Sequence, residues 1–102
     1  MEMHDAKRVS IVIEAPLESR LTDALTKAGV TGYTIMPMIG GSGRSGQWTR
    51  DGQVGRSDMV NVVCLIKPER LDGLLKAAFA VVEPHIGVVS VTDAQVLRAE
   101  RF

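Results

Sequence analysis

Apolar positions form two similar blocks along the 102-residue chain, and a glycine-rich segment at residues 40–58 separates them. In each block, an apolar run of strand length leads into apolar residues at helical spacing, and a second apolar run follows. Pro16 and Pro68 stand where the two helices would begin, because the fixed φ of proline suits the first turn. Gly29 stands where the first helix would end. The pattern predicts the order β-α-β, glycine-rich segment, β-α-β. The predicted strands are residues 8–13, 33–39, 59–66 and 86–91, and the predicted helices are residues 16–28 and 68–83.

The ends and faces of these elements are also predicted. Residues 1–7 are polar and are expected to be frayed. Pro37 has no backbone donor, so its strand is expected at an edge of the sheet or at a bulge. Residues 96–98 either extend the last strand or form a small extra strand. The second helix is expected to bury one stripe, formed by Leu71, Leu74, Leu75, Ala78, Phe79 and Val82.

Two β-α-β units in one sheet give a ferredoxin-like βαββαβ sandwich, an α+β fold in which both helices cover one face of four strands. The strand at residues 59–66 is apolar on both sides except at Asn61, so two helices alone cannot cover it. An exposed apolar sheet face of this extent implies a partner. We therefore expect a homo-oligomer whose sheets face inward and whose ligand sites are clefts between subunits.

Length and composition fit a single domain over residues 1–102. Twelve basic residues balance twelve acidic ones and aromatic residues make up 4%, so neither electrostatic binding of nucleic acid nor a base-stacking platform is expected. Cys64 is the only cysteine and cannot form an internal disulfide. With no signal peptide and no long apolar run, a cytoplasmic location without membrane insertion is expected. His4 and His85 lack metal-ligand spacing, so no metal is expected.

The glycine-rich segment holds six of the ten glycines of the chain. Successive backbone N–H groups in such a turn can converge on an anion, and Gly41 and Gly43 can adopt the positive φ that this requires. Arg44 would add a planar fork of donors that can grip a small oxyanion in two places. The glycines match neither a Walker A loop nor a dinucleotide-binding turn, since neither Lys-Ser/Thr nor a helix follows them. The alternative is that the segment is only a flexible tether.

Four motifs, in this order and on this topology, resemble the PII signalling family. They are the helix exit at residues 29–34 (Gly-Val-Thr-Gly-Tyr-Thr), the glycine-arginine motif at 41–44 (Gly-Ser-Gly-Arg), the strand-to-helix junction at 66–69 (Ile-Lys-Pro-Glu) and the closing basic strand at 96–101 (Val-Leu-Arg-Ala-Glu-Arg). The resemblance covers nearly the whole chain and identifies residues 40–58 with the family's T-loop. It implies a non-enzymatic homotrimer with adenine nucleotides in three intersubunit clefts, an effector near the base of the T-loop, and a T-loop that switches partners.

The resemblance and the anion chemistry of the glycines together assign roles to particular residues. Those expected to bind the nucleotide are Thr34, Gly41, Ser42, Gly43, Arg44, Ile66, Gly87, Arg98 and Arg101. For Ile66 a plain core role is equally open, and for Arg101 a solvated terminal position. Those expected to bind bicarbonate are Gly41, Gly43, Arg44, Ser45 and Gly46. Gln47 and Trp48 are expected to contact a protein partner, since tryptophan is prominent among interface hot spots; the alternative for Trp48 is local packing or a fold-back over the cleft.

Departures from the family pattern narrow the expected ligands. Ser45 stands where members that bind 2-oxoglutarate have glutamine, and no lysine matches the one that holds the outer phosphates. The loop at residues 40–48 is most similar to that of carboxysome-associated PII-like proteins (the CPII type), which respond to bicarbonate with ADP or AMP. The alternatives are a PII-like regulator of a bicarbonate transporter that responds to adenine nucleotides including cyclic AMP, a small acylphosphatase-like enzyme, and an RNA-binding module, which the zero net charge disfavours.

Overall fold

Two helices and six strands make up the described part of the chain, residues 1–43, 46–49 and 58–98 of a computed structural model. In chain order they are β1 (His4–Glu14), α1 (Glu18–Lys27), β2 (Thr34–Pro37), β3 (Gly40–Gly43), β4 (Gly46–Thr49), β5 (Met59–Ile66), α2 (Leu71–Val82) and β6 (Gly87–Val96). Pro16 and Pro68 fall in 3-10 turns, Ala15–Leu17 and Pro68–Arg70, that lead into α1 and α2. Their missing N–H groups therefore cost no helical hydrogen bond.

Four strands form one antiparallel sheet in the order β2-β5-β1-β6. α1 joins β1 to β2 and α2 joins β5 to β6, and each connection passes over one strand, so the two β-α-β units interlock. The predicted ferredoxin-like α+β fold is therefore confirmed. β2 lies at an edge of the sheet, which is where Pro37 is tolerated.

The register of the sheet assigns its residues to a helix-covered face and an open face. Odd-numbered residues of β1 lie opposite even-numbered residues of β5, and these form the helix-covered face. Buried there are Val9, Ile11, Ile13, Val60, Val62, Cys64 and Ile66. Leu21 and Leu25 of α1 and Leu74 of α2 complete the same core and are almost fully buried. Burial of each large aliphatic side chain contributes about 1.5–3 kcal/mol, so this layer is the main source of stability.

The buried stripe of α2 differs from the predicted one. Phe79 is 57% exposed, whereas Val81, which the predicted stripe leaves out, is buried. The residues that α2 buries are Leu74, Ala78, Val81 and Val82, which follow the spacing i, i+4, i+7 and i+8. The helix is therefore rotated so that Phe79 lies outside the contact with the sheet.

Residues 4–7 are paired rather than frayed, which corrects the prediction for that part of residues 1–7; residues 1–3 precede the first strand. β1 begins at His4, and its first residues pair with the end of β6, from His4 opposite Val96 to Lys7 opposite Asp93. This ribbon is polar, and Lys7 forms an ion pair with Asp93 across it. The sequence of both strand ends is mostly polar, although Ala6 is buried, and backbone pairing does not require apolar side chains, so neither end shows the apolar alternation of a strand.

The open face carries the even-numbered residues of β1 and β6 and the odd-numbered residues of β5. Exposed apolar side chains on it include Leu65 of β5 at 42% and Val88 of β6 at 62%. Near its centre, Ser10 Oγ donates a hydrogen bond to Asn61 Oδ1 at 2.7 Å. The predicted exposed sheet face is thus present, although its centre is polar.

Residues 40–58 begin with a hairpin that the sequence did not predict. β3 pairs antiparallel with β4, from Gly40 opposite Thr49 to Gly43 opposite Gly46. The base of the segment is tied to the sheet: Met38 N–H donates to the Met59 carbonyl at 3.1 Å, and Ala15 N–H donates to the Asp58 carbonyl at 2.7 Å. The glycine-rich segment therefore leaves and re-enters the fold at fixed points.

Candidate functional site

A cleft of about 670 Å³ opens beside β2 and β5 on the open face. Its lining residues are Thr31, Gly32, Tyr33, Thr34, Val63, Leu65, Val96, Leu97 and Arg98. Val63 and Leu65 project from β5 on this face, and the chain that follows β6 brings Arg98 to the same cleft. The volume lies within the range of small-molecule sites, roughly 300–1,000 Å³. We refer to this site as the β2–β5 cleft.

The chemistry of the β2–β5 cleft is amphipathic. Val63, Leu65 and Leu97 supply apolar surface, Thr31 and Thr34 supply hydroxyl groups, and Arg98 supplies a permanent positive charge. A flat, weakly polar ring that carries an anionic group matches such a lining, because the ring can cover the aliphatic side chains while the anion meets the guanidinium. The cleft is therefore suited to a ligand that combines an apolar surface with an anionic group.

One wall of the cleft is the connection from α1 to β2. Gly29 ends the helix with φ +90°, and Val30 N–H donates back to the Leu25 carbonyl at 3.0 Å. Only glycine adopts this φ at little cost, so Gly29 sets the direction in which the wall leaves the helix. A smaller cavity of about 60 Å³ lies behind the wall, lined by Ala28, Gly29, Val30, Thr31, Leu65, Ile66 and Arg70.

The predicted nucleotide residues do not all meet in one protomer. Thr34 and Arg98 both line the β2–β5 cleft. Ile66 does not: its side chain is 4% exposed and belongs to the core on the helix-covered face. Gly87 begins β6 opposite Ile13, where an added Cβ would lie 2.8 Å from Val82 Cγ1 and 2.9 Å from the Val12 carbonyl oxygen. Close packing therefore explains the glycine at position 87 without any ligand.

The glycine-rich motif forms strand rather than a nest in this structure. Gly41 lies opposite Trp48 and Ser42 opposite Gln47. Positive φ occurs, among the described residues, only at Gly29 and Gly46, so the expectation of positive φ at Gly41 and Gly43 is wrong for this conformation. Three predicted site residues, Arg44, Ser45 and Arg101, lie outside the described residues, as do the side chains of Gln47 and Trp48.

The β2–β5 cleft and Gly87 lie at opposite ends of the sheet. Leu65, in the β2–β5 cleft, is opposite Arg8 of β1, and Gly87 is opposite Ile13 of the same strand. Five residues of strand separate these positions, which is about 17 Å. The base of the glycine-rich segment lies at the Gly87 end but at the other edge of the sheet, three strand spacings or about 14 Å away. A single protomer therefore presents separate parts of the predicted site.

Sequence reasoning missed most of the apolar lining of the cleft. The run at residues 59–66 is almost continuously apolar, so its alternation was hidden and Ile66 was chosen in place of Leu65. Asn61 is the residue that could have shown which side chains of this run lie on the open face. It is the polar residue of the run and marks the open face, and Val63 and Leu65 follow it at i+2 and i+4 on that same face.

The titratable groups of the described residues include one buried thiol, Cys64. No group of three or more His, Cys, Asp or Glu side chains in this part of the chain is close enough to hold a metal ion. Burial raises the pKa of the Cys64 thiol from 9.0 to about 11, so it remains protonated at neutral pH and is a weak nucleophile. None of the helices between residues 1 and 98 that are described has the length and apolar character to cross a bilayer.

Comparison with known proteins gives a family and several similar folds. The family model described as "Nitrogen regulatory protein P-II" matches residues 6–101. A comparison with functionally curated proteins finds no match.

Solved structures similar to this chain include CPII, a nitrogen regulatory PII-like protein from Thiomonas intermedia K12. In its complex with ADP, AMP and bicarbonate it is 29% identical, with a TM-score of 0.83 over 93% of this chain and 91% of that one. Its complex with ADP, AMP and acetate is 28% identical, with a TM-score of 0.83 over 100% and 98%. A PII-like signaling protein from Thermus thermophilus is 24% identical, with a TM-score of 0.80 over 100% and 99%, and shows the fold alone.

Proposed function

This chain belongs to the nitrogen regulatory protein P-II family, and on that premise we propose that it is a sensor of adenine nucleotide and bicarbonate. The proposed ligands are ADP or AMP together with bicarbonate, bound in clefts between the protomers of a homotrimer. Proteins of this family are generally non-enzymatic signalling proteins. The proposed output is control of a protein partner in inorganic-carbon metabolism, in the cytoplasm.

The observation that carries this proposal is the lining of the β2–β5 cleft. Leu65 and Val63 offer the aliphatic surface on which an adenine ring would lie, and Thr34 and Thr31 offer hydroxyl groups to its edge. Arg98, which lines the same cleft, is proposed to bind a phosphate, since a guanidinium can bind two phosphate oxygens at once. The cleft thus fits the ligand class that the Thiomonas relative binds.

The separation of the predicted residues supports a site between protomers. Thr34 and Arg98 lie at one end of the sheet, whereas Gly87 lies about 17 Å along it. In the proposed arrangement, a nucleotide bound to Thr34 and Arg98 of one protomer would reach the Gly87 end of another. Exposed apolar side chains on the open face outside the cleft, such as Met36 and Val88, would be covered by the same association.

Bicarbonate is proposed to bind at the base of the T-loop. The Thiomonas relative has been crystallised with bicarbonate and, separately, with acetate, and both anions present a planar pair of oxygens. We assign the anion to Gly41, Gly43, Arg44, Ser45 and Gly46, and the partner contact to Gln47 and Trp48. Because β3 and β4 pair their backbones in the present conformation, anion binding through the N–H groups that bond across the hairpin requires those pairs to open.

Calorimetric titration tests the proposal directly. AMP, ADP, ATP and cyclic AMP are each titrated into the protein in carbonate-free buffer and again with bicarbonate, with GTP as the control. We expect ADP or AMP to bind, and to bind more tightly with bicarbonate, because ordering of the loop by one ligand lowers the cost for the second. Ligand at 100 times its Kd should also stabilise the fold by about 2.7 kcal/mol. Absence of heat and of thermal shift with all four adenine nucleotides would overturn the proposal, and a preference for cyclic AMP would favour the transporter regulator instead.

A further inference from the structure

The wall of the β2–β5 cleft is supported mainly at its two ends. At one end, Val30 is hydrogen-bonded back to α1, and at the other, Thr34 pairs with Val63 of β5. Between them, residues 31–33 make no backbone–backbone hydrogen bond to any described residue. The shape of this wall therefore depends on how firmly the chain is held where it leaves the helix.

Arg70 supplies a side-chain tie at that point. It is the last residue of the 3-10 turn after β5, and its Nη1 donates a hydrogen bond to the Gly29 carbonyl at 3.3 Å. Gly29 is the positive-φ residue at which the chain turns from α1 toward β2, and a Cβ added there would lie 3.1 Å from Arg70 Nη1. Arg70 also lines the small cavity behind Thr31 and Leu65, two residues that line the cleft as well.

We propose that Arg70 is a positioning residue for the ligand cleft. It fixes the Gly29 turn, and through it the wall at residues 31–34, in the shape that receives the nucleotide; it does not itself contact the ligand. This inference rests on the proposed function, because it deepens the account of the same cleft.

The geometry favours a local role over a general stabilising one. The Arg70 bond is exposed to water, which can replace a lost partner, so its loss has little effect on global stability. The same loss lets the wall sample other conformations. When only a fraction of molecules is competent to bind, the apparent Kd rises by the inverse of that fraction. Loss of one such bond would lower ligand affinity by about three- to tenfold.

The test compares Arg70→Ala and Arg70→Lys with Lys76→Ala. Lys76→Ala is the matched control, since it removes one positive charge from the neighbouring helix, where Lys76 pairs with Asp72 in an exposed i,i+4 contact. ADP and AMP affinities are measured by calorimetry, and amide hydrogen exchange is measured on the ligand-free proteins. We expect Arg70→Ala to weaken binding about three- to tenfold and to speed exchange at residues 30–34 while α1 stays protected. Arg70→Lys, which keeps the charge and one donor, should recover part of the affinity.

Each outcome of this test decides the matter. Affinity and exchange in Arg70→Ala within twofold of those in Lys76→Ala would overturn the proposal. Faster exchange throughout α1 and the core would also overturn it, because that pattern indicates a general structural role. If the wild-type protein binds no adenine nucleotide, the proposed function fails, and the exchange rates at residues 30–34 still decide whether Arg70 holds the wall.

Discussion

Substitutions at two adjacent residues of β5 should affect ligand affinity and folding stability separately. Leu65 projects from the open face into the β2–β5 cleft and is 42% exposed, whereas Ile66 projects into the core and is 4% exposed. Leu65→Ala removes part of the surface proposed to lie under adenine. Ile66→Ala and the milder Ile66→Val remove only core contacts. Comparison of the Leu65 and Ile66 variants also tests which of the two residues contacts the nucleotide.

The expected magnitudes follow from the exposed area. Full burial of a leucine side chain contributes about 1.5–3 kcal/mol, so covering the 42% that remains exposed contributes about 0.6–1.3 kcal/mol. Leu65→Ala should therefore raise the Kd of ADP or AMP roughly three- to ninefold. Ile66→Ala should lower the free energy of unfolding by about 2–5 kcal/mol, and Ile66→Val by about 0.5–1.5 kcal/mol, with little change in Kd.

Affinity is measured by calorimetry and stability by urea unfolding, on the same preparations. Ile66→Val keeps the comparison possible if Ile66→Ala does not fold. The reasoning is refuted if Ile66→Val changes the Kd more than Leu65→Ala does, or if Leu65→Ala costs more stability than Ile66→Ala. Either result would mean that the face assignment of β5 does not describe the ligand site.

Three further predictions concern the packing of Gly87, the open face and the buried thiol. Gly87→Ala should lower the free energy of unfolding in urea by about 1–3 kcal/mol, because the added Cβ would lie under 3 Å from Val82 and from the backbone of β1. The control, Gly73→Ala, adds a Cβ in open space on α2 and should raise that free energy by about 0.5–1 kcal/mol. Equal effects of the two substitutions would contradict the packing described for Gly87. Val88→Glu on the open face should shift the proposed assembly toward monomer, as measured by light scattering, whereas Phe79→Glu, similarly exposed on α2, should not. An assembly of unchanged size in Val88→Glu would show that the open face is not the interface. Burial raises the pKa of Cys64 to about 11 from 9.0, so the unfolded chain loses this proton first and the free energy of unfolding should fall between pH 9 and 11 by up to about 1.4 kcal/mol per pH unit. Cys64→Ala should lack that slope, and identical slopes in both proteins would show that the thiol is not the group that titrates.

Much of the fold could be predicted because two periodicities dominate it. The stripe that begins at Leu17 and Leu21 repeats at helical spacing, and prolines mark the start of both helical regions. Interlocking of the two β-α-β units then follows from chain order. The ends of β1 and β6 could not be predicted, since residues 4–7 and 92–96 pair with each other beyond the helices, where backbone hydrogen bonding needs no apolar side chains.

The site was predicted less completely, for reasons that are also physical. Thr34 and Arg98 could be assigned from the resemblance, and both line the cleft. Leu65 could not be separated from Ile66 by hydrophobicity, because both are large and aliphatic and only the register distinguishes their faces. The β3–β4 hairpin was also missed, since glycine and serine have low strand propensity and the pairing comes from the backbone.

Ligand binding and assembly are coupled if the proposed site draws on both ends of the sheet. In the proposed site one protomer would offer the Thr34 and Arg98 end to the nucleotide and another would offer the Gly87 end, so a separated protomer would hold only part of the binding free energy. Three sites filled to 100 times their Kd would stabilise a trimer over its protomers by about 8 kcal/mol. By reciprocity, the free energy by which the nucleotide favours the trimer is the same free energy by which trimer formation tightens the nucleotide. An open face with a polar centre at Ser10 and Asn61 gives the association less apolar area than a wholly aliphatic face would. The nucleotide is then part of what holds the protomers together, which is how a molecule of this architecture can report the ligand to a partner without catalysis.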